Sequence, residues 1–316
     1  MSERQPKRNP ADYAALGAMS LPELMAEALE IKLEQRGTDF SLCSIINAKS
    51  GKCSENCAFC VQSGHFDTEA PVYPLKDKDE ILAAAATAKT IGAQRFSLVT
   101  SGRGPSDREV DRIAAIISEI RGKVGIEVCA SLGIMSRAQL QRLKDAGMSR
   151  YHHNLETSRE YFDRIVSTHT FDERVETIRA AQAAGLEVCA GGIVGLGESE
   201  ADRISLAITL RDLEVDSVPF NILIPLPGTP LAHLTPLSPA EILRAIALFR
   251  IICRKGPLRL CAGRESALGD FLAMAFMAGA DGMMIGGYLT QRGRMPEEDH
   301  RLVAQVKELW RTSIPG

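Results

Sequence analysis

Short runs of apolar and β-branched residues alternate along the chain with longer segments whose apolar positions recur every three to four residues. The first pattern is that of buried strands and the second that of amphipathic helices. The strand runs fall at 42–48, 95–100, 125–130, 150–155, 186–194, 217–223, 257–262 and 282–287. Helical periodicity covers 78–91, 107–121, 137–146, 172–184, 200–212, 238–253 and 266–278 between them. Gly92, Gly122, Gly147, Gly185 and Gly279 each stand just past one of these segments, where a left-handed residue stops a helix and turns the chain toward the next strand. Eight strands alternating with helices predict parallel pairing through right-handed crossovers, hence an α/β fold of the (β/α)8 TIM-barrel type, with an open doubly wound sheet as the alternative.

Residues 11–37 predict a helical extension before the barrel, begun by Ser20-Leu-Pro-Glu23 in the form of a capping box. A last helix is expected from Glu297 to Trp310, within a tail over 290–316. No linker or low-complexity stretch divides the chain, so 1–316 reads as a single domain. The longest apolar stretch, Phe271 to Leu289, is interrupted by Asp281 and several glycines, and predicts a buried helix and strand rather than a membrane span.

At 316 residues and 45% hydrophobic, the chain can bury a barrel-sized core. Its formal net charge of -3 lacks the basic field that nucleic-acid binding requires. Arg4, Lys7 and Arg8 form only a small basic cluster, read as a solvated end. The first twenty residues carry charges, Pro6 and Pro10 but no apolar core, so no secretory signal is expected and a cytoplasmic location follows. In that reducing setting eight cysteines are metal ligands or buried thiols before they are disulfides.

Three of them lie in Cys53-Ser-Glu-Asn-Cys57-Ala-Phe-Cys60. A four-iron cube normally takes four thiolates, so three from one loop leave an iron open to a reactive ligand. A zinc knuckle completed by His65 or a distant cysteine is the alternative, although it would normally bring a second C-x2-C pair, which this sequence lacks. Cys43, Cys129, Cys189 and Cys261 fall on the first, third, fifth and seventh predicted strands. Alternate strands of such a barrel fill one interior layer, so these thiols could ring a second iron–sulfur centre or simply pack as small apolar side chains. Cys253, on a helix, needs only a packing role. Arg259 precedes Cys261 by two residues and shares its face, and a guanidinium inside a barrel requires a cluster, carboxylate or substrate beside it.

The first cysteine run resembles the radical S-adenosylmethionine (SAM) signature, in which the open iron chelates the amino and carboxylate groups of SAM, and Phe59 stands where that signature carries an aromatic residue. Over nearly its whole length the chain is similar to the biotin synthase family. The matching segments are GKCSENCAFCVQS at 51–63, TSGRG at 100–104, YHHNLETS at 151–158, THTFDERVET at 168–177, GGIVGLGE at 191–198, VPFNIL…GTPL at 218–231 and RLCAGRE at 259–265. The resemblance implies sulfur insertion into dethiobiotin by a radical derived from SAM. It also implies a [4Fe–4S] cluster on Cys53, Cys57 and Cys60. Phe59 would lie beside the adenine, with Thr100 and the Gly195 turn also contributing to the cofactor site. Asn154 and Glu156, expected on one face of the fourth strand, would hold the ribose hydroxyls, and Arg174 the SAM carboxylate. Asn154 and Asn221 would bind the ureido group of dethiobiotin.

The chain departs from that family at one centre. Better-known members ligate an auxiliary [2Fe–2S] cluster through cysteines on strands two, three and five and the strand-seven arginine. Here the strand-two position is Ser97, whereas Cys43 and Cys261 replace serines, and Cys129, Cys189 and Arg259 match. Serine is a poor iron ligand, so a four-iron auxiliary cluster on the four thiols is expected, with [2Fe–2S] as the alternative and Arg259 beside it as a catalytic residue. His152-His153 stands where an asparagine–histidine pair is usual, and neither is given a role. The resemblance further implies a small electron-transfer protein as reductant, the iron–sulfur assembly machinery as partner, and a homodimer, without nucleic acid or membrane. Other radical SAM barrels, of mutase or hydrogenase-maturation type, and a non-enzymatic iron–sulfur carrier are the rival readings.

Overall fold

The computed structural model describes residue 13, residues 15–289 and residues 293–313. Arg4, Lys7 and Arg8, and parts of the expected N-terminal extension and C-terminal tail, lie outside these residues.

Nine parallel strands make one sheet: β1 (Ser41–Lys49), β2 (Arg95–Thr100), β3 (Glu127–Ser131), β4 (Met148–His152), β5 (Glu187–Cys189), β6 (Gly192–Val194), β7 (Val218–Ile222), β8 (Leu258–Leu260) and β9 (Gly282–Met284). Their spatial order is β5-β4-β3-β2-β1-β9-β8-β7-β6. The two ends of that order are the two halves of the single run predicted at 186–194. Bridges between Cys189 and Ser217 and between Glu156 and Gly192 tie these halves to the neighbours on either side. Leu155 N–H donates to Gly191 O at 2.9 Å and Ala190 N–H to Ser217 O at 3.0 Å. Eight strand positions therefore close into the expected (β/α)8 barrel; the break falls at Ala190-Gly191, where the Pro219 carbonyl approaches so closely that a Cβ on Gly191 would stand 1.9 Å from its oxygen.

Local chemistry explains the helices. Capping boxes at Ser106–Glu109, Thr170–Glu173, Ser199–Asp202 and Ser238–Glu241 start the helices Asp107–Glu119, Phe171–Ala183, Glu200–Asp212 and Pro239–Cys253, each satisfying backbone donors the first turn leaves free. The same device at Ser20–Glu23 begins Leu21–Arg36, as the sequence implied. Three expectations need correction. Gly122 does not stop its helix, which runs on through Ile120–Val124 to a left-handed Gly125. The segment 266–278 is not one helix but Arg264–Leu268 and Leu272–Met277, joined by a tight turn. The fourth strand ends at His152, so Asn154 and Glu156 lie beyond it, and Glu156 takes a left-handed φ of 68°.

The apolar stretch 271–289 folds into buried helix and strand, and no described helix is long and apolar enough to cross a membrane. Asp281 interrupts that stretch to serve as a hub. Its buried carboxylate meets Arg250 Nη2 and Arg36 Nε, each at 2.9 Å, and accepts the Leu258 N–H at 2.7 Å. It thereby joins the N-terminal helix, the helix Pro239–Cys253 and the start of β8. Removing one partner leaves a buried charge uncompensated, so Asp281→Ala is expected to lose about 3–5 kcal/mol in urea denaturation, and a loss under about 1 kcal/mol would show that the hub is dispensable.

Candidate active site

The cysteine loop follows β1 at its carboxyl end, which is where such barrels assemble their sites. Backbone bonds fold it on itself, Cys53 N–H to Gln62 O at 2.9 Å and Gly64 N–H to Cys53 O at 2.7 Å. Asn56 then docks it onto the segment before the helix Phe171–Ala183. Its side-chain oxygen accepts from Ser167 N–H at 3.0 Å and Thr168 N–H at 3.2 Å, and Ala58 N–H donates to Ile165 O at 2.8 Å.

Cys53, Cys57 and Cys60 line a cavity of about 290 Å³ that runs into the barrel. Phe59, Thr100, Asn154, Glu156, Arg174 and Asn221 line the same cavity, as do Cys43, Cys189, Cys261 and Arg259 deeper in the strands. Two residues singled out in the sequence stand apart. Gly195 is not among the cavity-lining residues and gives its N–H to Glu198 Oε1 at 2.9 Å. Cys129 is fully buried and does not line the cavity either, but it stands opposite cavity-lining Ser97 in the β2–β3 register and meets His152 inside the barrel. Among the described residues no three His, Cys, Asp or Glu side chains converge on one metal-ion position. His65 Nε2 instead contacts the Ser54 carbonyl oxygen at 2.9 Å, leaving the zinc-knuckle alternative without a formed fourth ligand.

At the mouth, Arg174 is held by a relay that the sequence reading missed. Its Nε–H donates to His169 Nε2 at 2.9 Å, and its Nη1 reaches Asn154 O at 2.8 Å and Glu156 Oε1 at 3.4 Å. An imidazole nitrogen that accepts carries no proton, so the His169 proton is on Nδ1, which contacts Glu55 Oε2 at 2.5 Å. Burial, and then the Arg174 cation, hold His169 below its ordinary pKa and keep it neutral. The signal was present, since Glu55 lies inside the cysteine run and His169 within the THTFDERVET segment, but neither has a role readable from spacing. Burial raises the Glu156 pKa despite Arg174 and Asn154 beside it. The two asparagines are partly committed to backbone. Asn154 Oδ1 accepts Gly191 N–H at 3.2 Å, and Asn221 spans Gly192 O and Ala262 N–H, each at 3.2 Å.

Deeper in the barrel, Arg259 is 1% exposed. Its Nη2 donates to Cys189 Sγ at 2.9 Å, whereas Nε and Nη1 are buried without partners. Gly282 makes room for it, because a Cβ there would stand 2.6 Å from Arg259 Cγ. Burial alone would raise the Cys189 pKa, but His152 and Arg259 bring it down to about 5. Burial likewise disfavours charged His152, yet the thiols of Cys189 and Cys129 move it up to about 9. At Cys57 and Cys60 burial outweighs the support they have, from the Arg174 cation and from the Gln62 and Ser63 N–H groups respectively. Burial pushes Cys57 up to about 12 and Cys60 to about 11, so they hold their protons until a metal displaces them.

A parallel barrel with an open three-cysteine loop at its carboxyl end defines the class, a radical SAM enzyme. Residues 48–210 match the radical SAM superfamily, and residues 219–307 match the Biotin and Thiamin Synthesis associated domain. The chain is 51% identical over 296 residues to the biotin synthase of Pelotomaculum thermopropionicum, covering 93% of this chain and 92% of that one. It is 47% identical over 292 residues to the biotin synthase of Acetivibrio thermocellus, covering 92% and 91%. The chain belongs to the biotin synthase family. It is a radical SAM sulfurtransferase that forms biotin from dethiobiotin, with SAM and a [4Fe–4S] cluster as the cofactors the family implies. Among solved structures, methylornithine synthase superposes with a TM-score of 0.80 at 20% identity, covering 96% of this chain and 93% of that one. The FeFe-hydrogenase maturase HydG from Carboxydothermus hydrogenoformans gives 0.78 at 19%, covering 97% and 75%. These two share the fold, and they represent the rival classes weighed from sequence.

The neutral, Nδ1-protonated state of His169 is directly measurable. In ¹⁵N-histidine spectra of the metal-free protein, its titration midpoint is expected below the ordinary value of about 6.5. Because the folded pKa is the lower one, the stability this residue contributes is present at higher pH and declines as pH falls through the folded value. A midpoint at or above about 6.5 would contradict the relay.

Proposed function

We propose that the cavity holds two iron–sulfur centres with SAM and dethiobiotin between them, and that the chain works as one catalytic unit. Cys53, Cys57 and Cys60 would hold the [4Fe–4S] cluster, and Cys43, Cys129, Cys189 and Cys261 an auxiliary cluster of four-iron type. The single observation that carries this reading is the buried Arg259 guanidinium, with two nitrogens unpartnered beside a thiol ring. A cation so placed requires an anionic, sulfur-rich neighbour. When bound, these groups supply one-electron cleavage of SAM, hydrogen abstraction from saturated carbon and a sulfide for the new ring, chemistry beyond any side-chain acid or base.

The residues supply position. The Glu55–His169–Arg174 relay fixes a cation for the SAM carboxylate, and Glu156, held past β4 in its left-handed turn, is placed to accept from the ribose hydroxyls. Phe59 and Thr100 border the nucleoside, with the Gly195 turn behind it. Asn154 and Asn221, already anchored to backbone, keep fixed amides for the ureido group of dethiobiotin. Holding substrate between the two centres inside a closed barrel excludes water and limits the reaction to one hydrogen at a time. A small electron-transfer protein as reductant, the iron–sulfur assembly machinery, a homodimer and a cytoplasmic location complete the proposal.

An anaerobic assay with dethiobiotin, SAM and dithionite tests it. Cys57→Ser is expected to abolish formation of both 5′-deoxyadenosine and biotin. Cys189→Ser is expected to retain uncoupled 5′-deoxyadenosine formation with biotin lost. Biotin formed by Cys189→Ser at the wild-type yield would refute the sulfur-donor role of the inner ring.

A further inference from the structure

Arg259 is not alone in lacking acceptors inside the barrel. His152 Nε2 is also buried without a hydrogen-bond partner. His152 is the last residue of β4, in register with Cys189 of β5, and its ring lines the cavity together with Cys189, Cys261 and Arg259. Its neighbour His153 also lines the cavity with an unpartnered Nε2, but its ring stacks at 6.2 Å on buried Tyr151, and His152 is the one in register with Cys189. Arg259 approaches Cys189 from β8, and His152 approaches it from β4. Two side chains from different strands thus converge on the same thiol, and each still keeps a buried nitrogen without a partner. Buried N–H groups left without acceptors are costly and uncommon, so a shared acceptor absent from the protein itself is the economical explanation.

We infer that His152 is a positioning residue for the auxiliary centre, its Nε2–H donating a hydrogen bond to a cluster sulfur on the Cys189 side, opposite the donors of Arg259. This rests on the proposal that the four inner thiols hold such a centre. Those four thiolates already complete a cube, so the imidazole acts as a donor to sulfur and not as a fifth ligand. Hydrogen bonds to cluster sulfurs raise the reduction potential and fix the orientation of the ligands they contact. His152 would therefore govern how readily the centre accepts an electron while it gives up sulfide.

The test uses the full chain, reconstituted anaerobically and labelled with ¹⁵N-histidine, as wild type, His152→Ala and His152→Gln. Iron content, the potential of the auxiliary centre by EPR-monitored titration, and nitrogen couplings by pulsed EPR are measured. The signal of the loop cluster is recognised by its response to SAM. Wild type is expected to bind about eight irons and to show a weak histidine nitrogen coupling at the auxiliary centre. His152→Ala should lose that coupling and shift the potential to more negative values, and His152→Gln, which keeps an N–H, should recover most of the shift. If His152→Ala does not fold, loss of the histidine coupling in His152→Gln carries the test. An unchanged potential in fully loaded His152→Ala, a coupling that survives in His152→Gln, or a coupling as strong as that of a directly bound imidazole would overturn the inference. Wild type loaded with only about four irons would instead overturn the auxiliary centre itself, and His152 with it.

Discussion

A guanidinium at 1% exposure in the middle of a parallel barrel is the constraint on which the rest of this site depends. Charge of that kind is stable in a low-dielectric interior only beside an opposite charge. Among the described residues no carboxylate pairs with Arg259; the barrel offers thiols, of which Cys189 is within 2.9 Å. The fold makes space for the arginine with a glycine at 282 and surrounds it with cysteines from other strands. A soft, anionic metal–sulfur centre satisfies both the charge and the donors, whereas an empty or purely apolar interior satisfies neither.

The mouth of the barrel solves a different problem. SAM brings an amino acid, a ribose and a base, and the cavity that the cysteine loop lines presents groups of matching character. The relay through His169 shows how the loop and Arg174 are made interdependent. Glu55 belongs to the three-cysteine run, Arg174 to the helix Phe171–Ala183, and one neutral imidazole joins them. Seating of the cluster loop and orientation of the cation are therefore a single structural event. Family membership establishes the reaction, and this geometry accounts for how one cavity can hold its participants in line.

Much of the fold was legible because strand and helix periods differ and because a capping box marks a helix start at Ser20. What periodicity missed was set by tertiary contact. The run 186–194 reads as one strand, whereas the structure splits it at Ala190-Gly191, where the Pro219 carbonyl packs against the glycine. Alternation likewise extended β4 to Glu156, although the chain leaves the sheet after His152. The cysteines were legible by spacing and by their recurrence on alternate strands, and six of the seven line the cavity, with Cys129 buried beside His152. Glu55, His169 and His152 were not, since their importance lies in partners far away in sequence.

The central claim is that the inner thiols form a metal centre independent of the loop. Mössbauer spectra of ⁵⁷Fe-reconstituted protein in which Cys53, Cys57 and Cys60 are all replaced by alanine test it most directly. The account predicts about four irons per chain in a four-iron spectrum, held by Cys43, Cys129, Cys189 and Cys261. A variant that binds no iron, or only a two-iron centre, would contradict it.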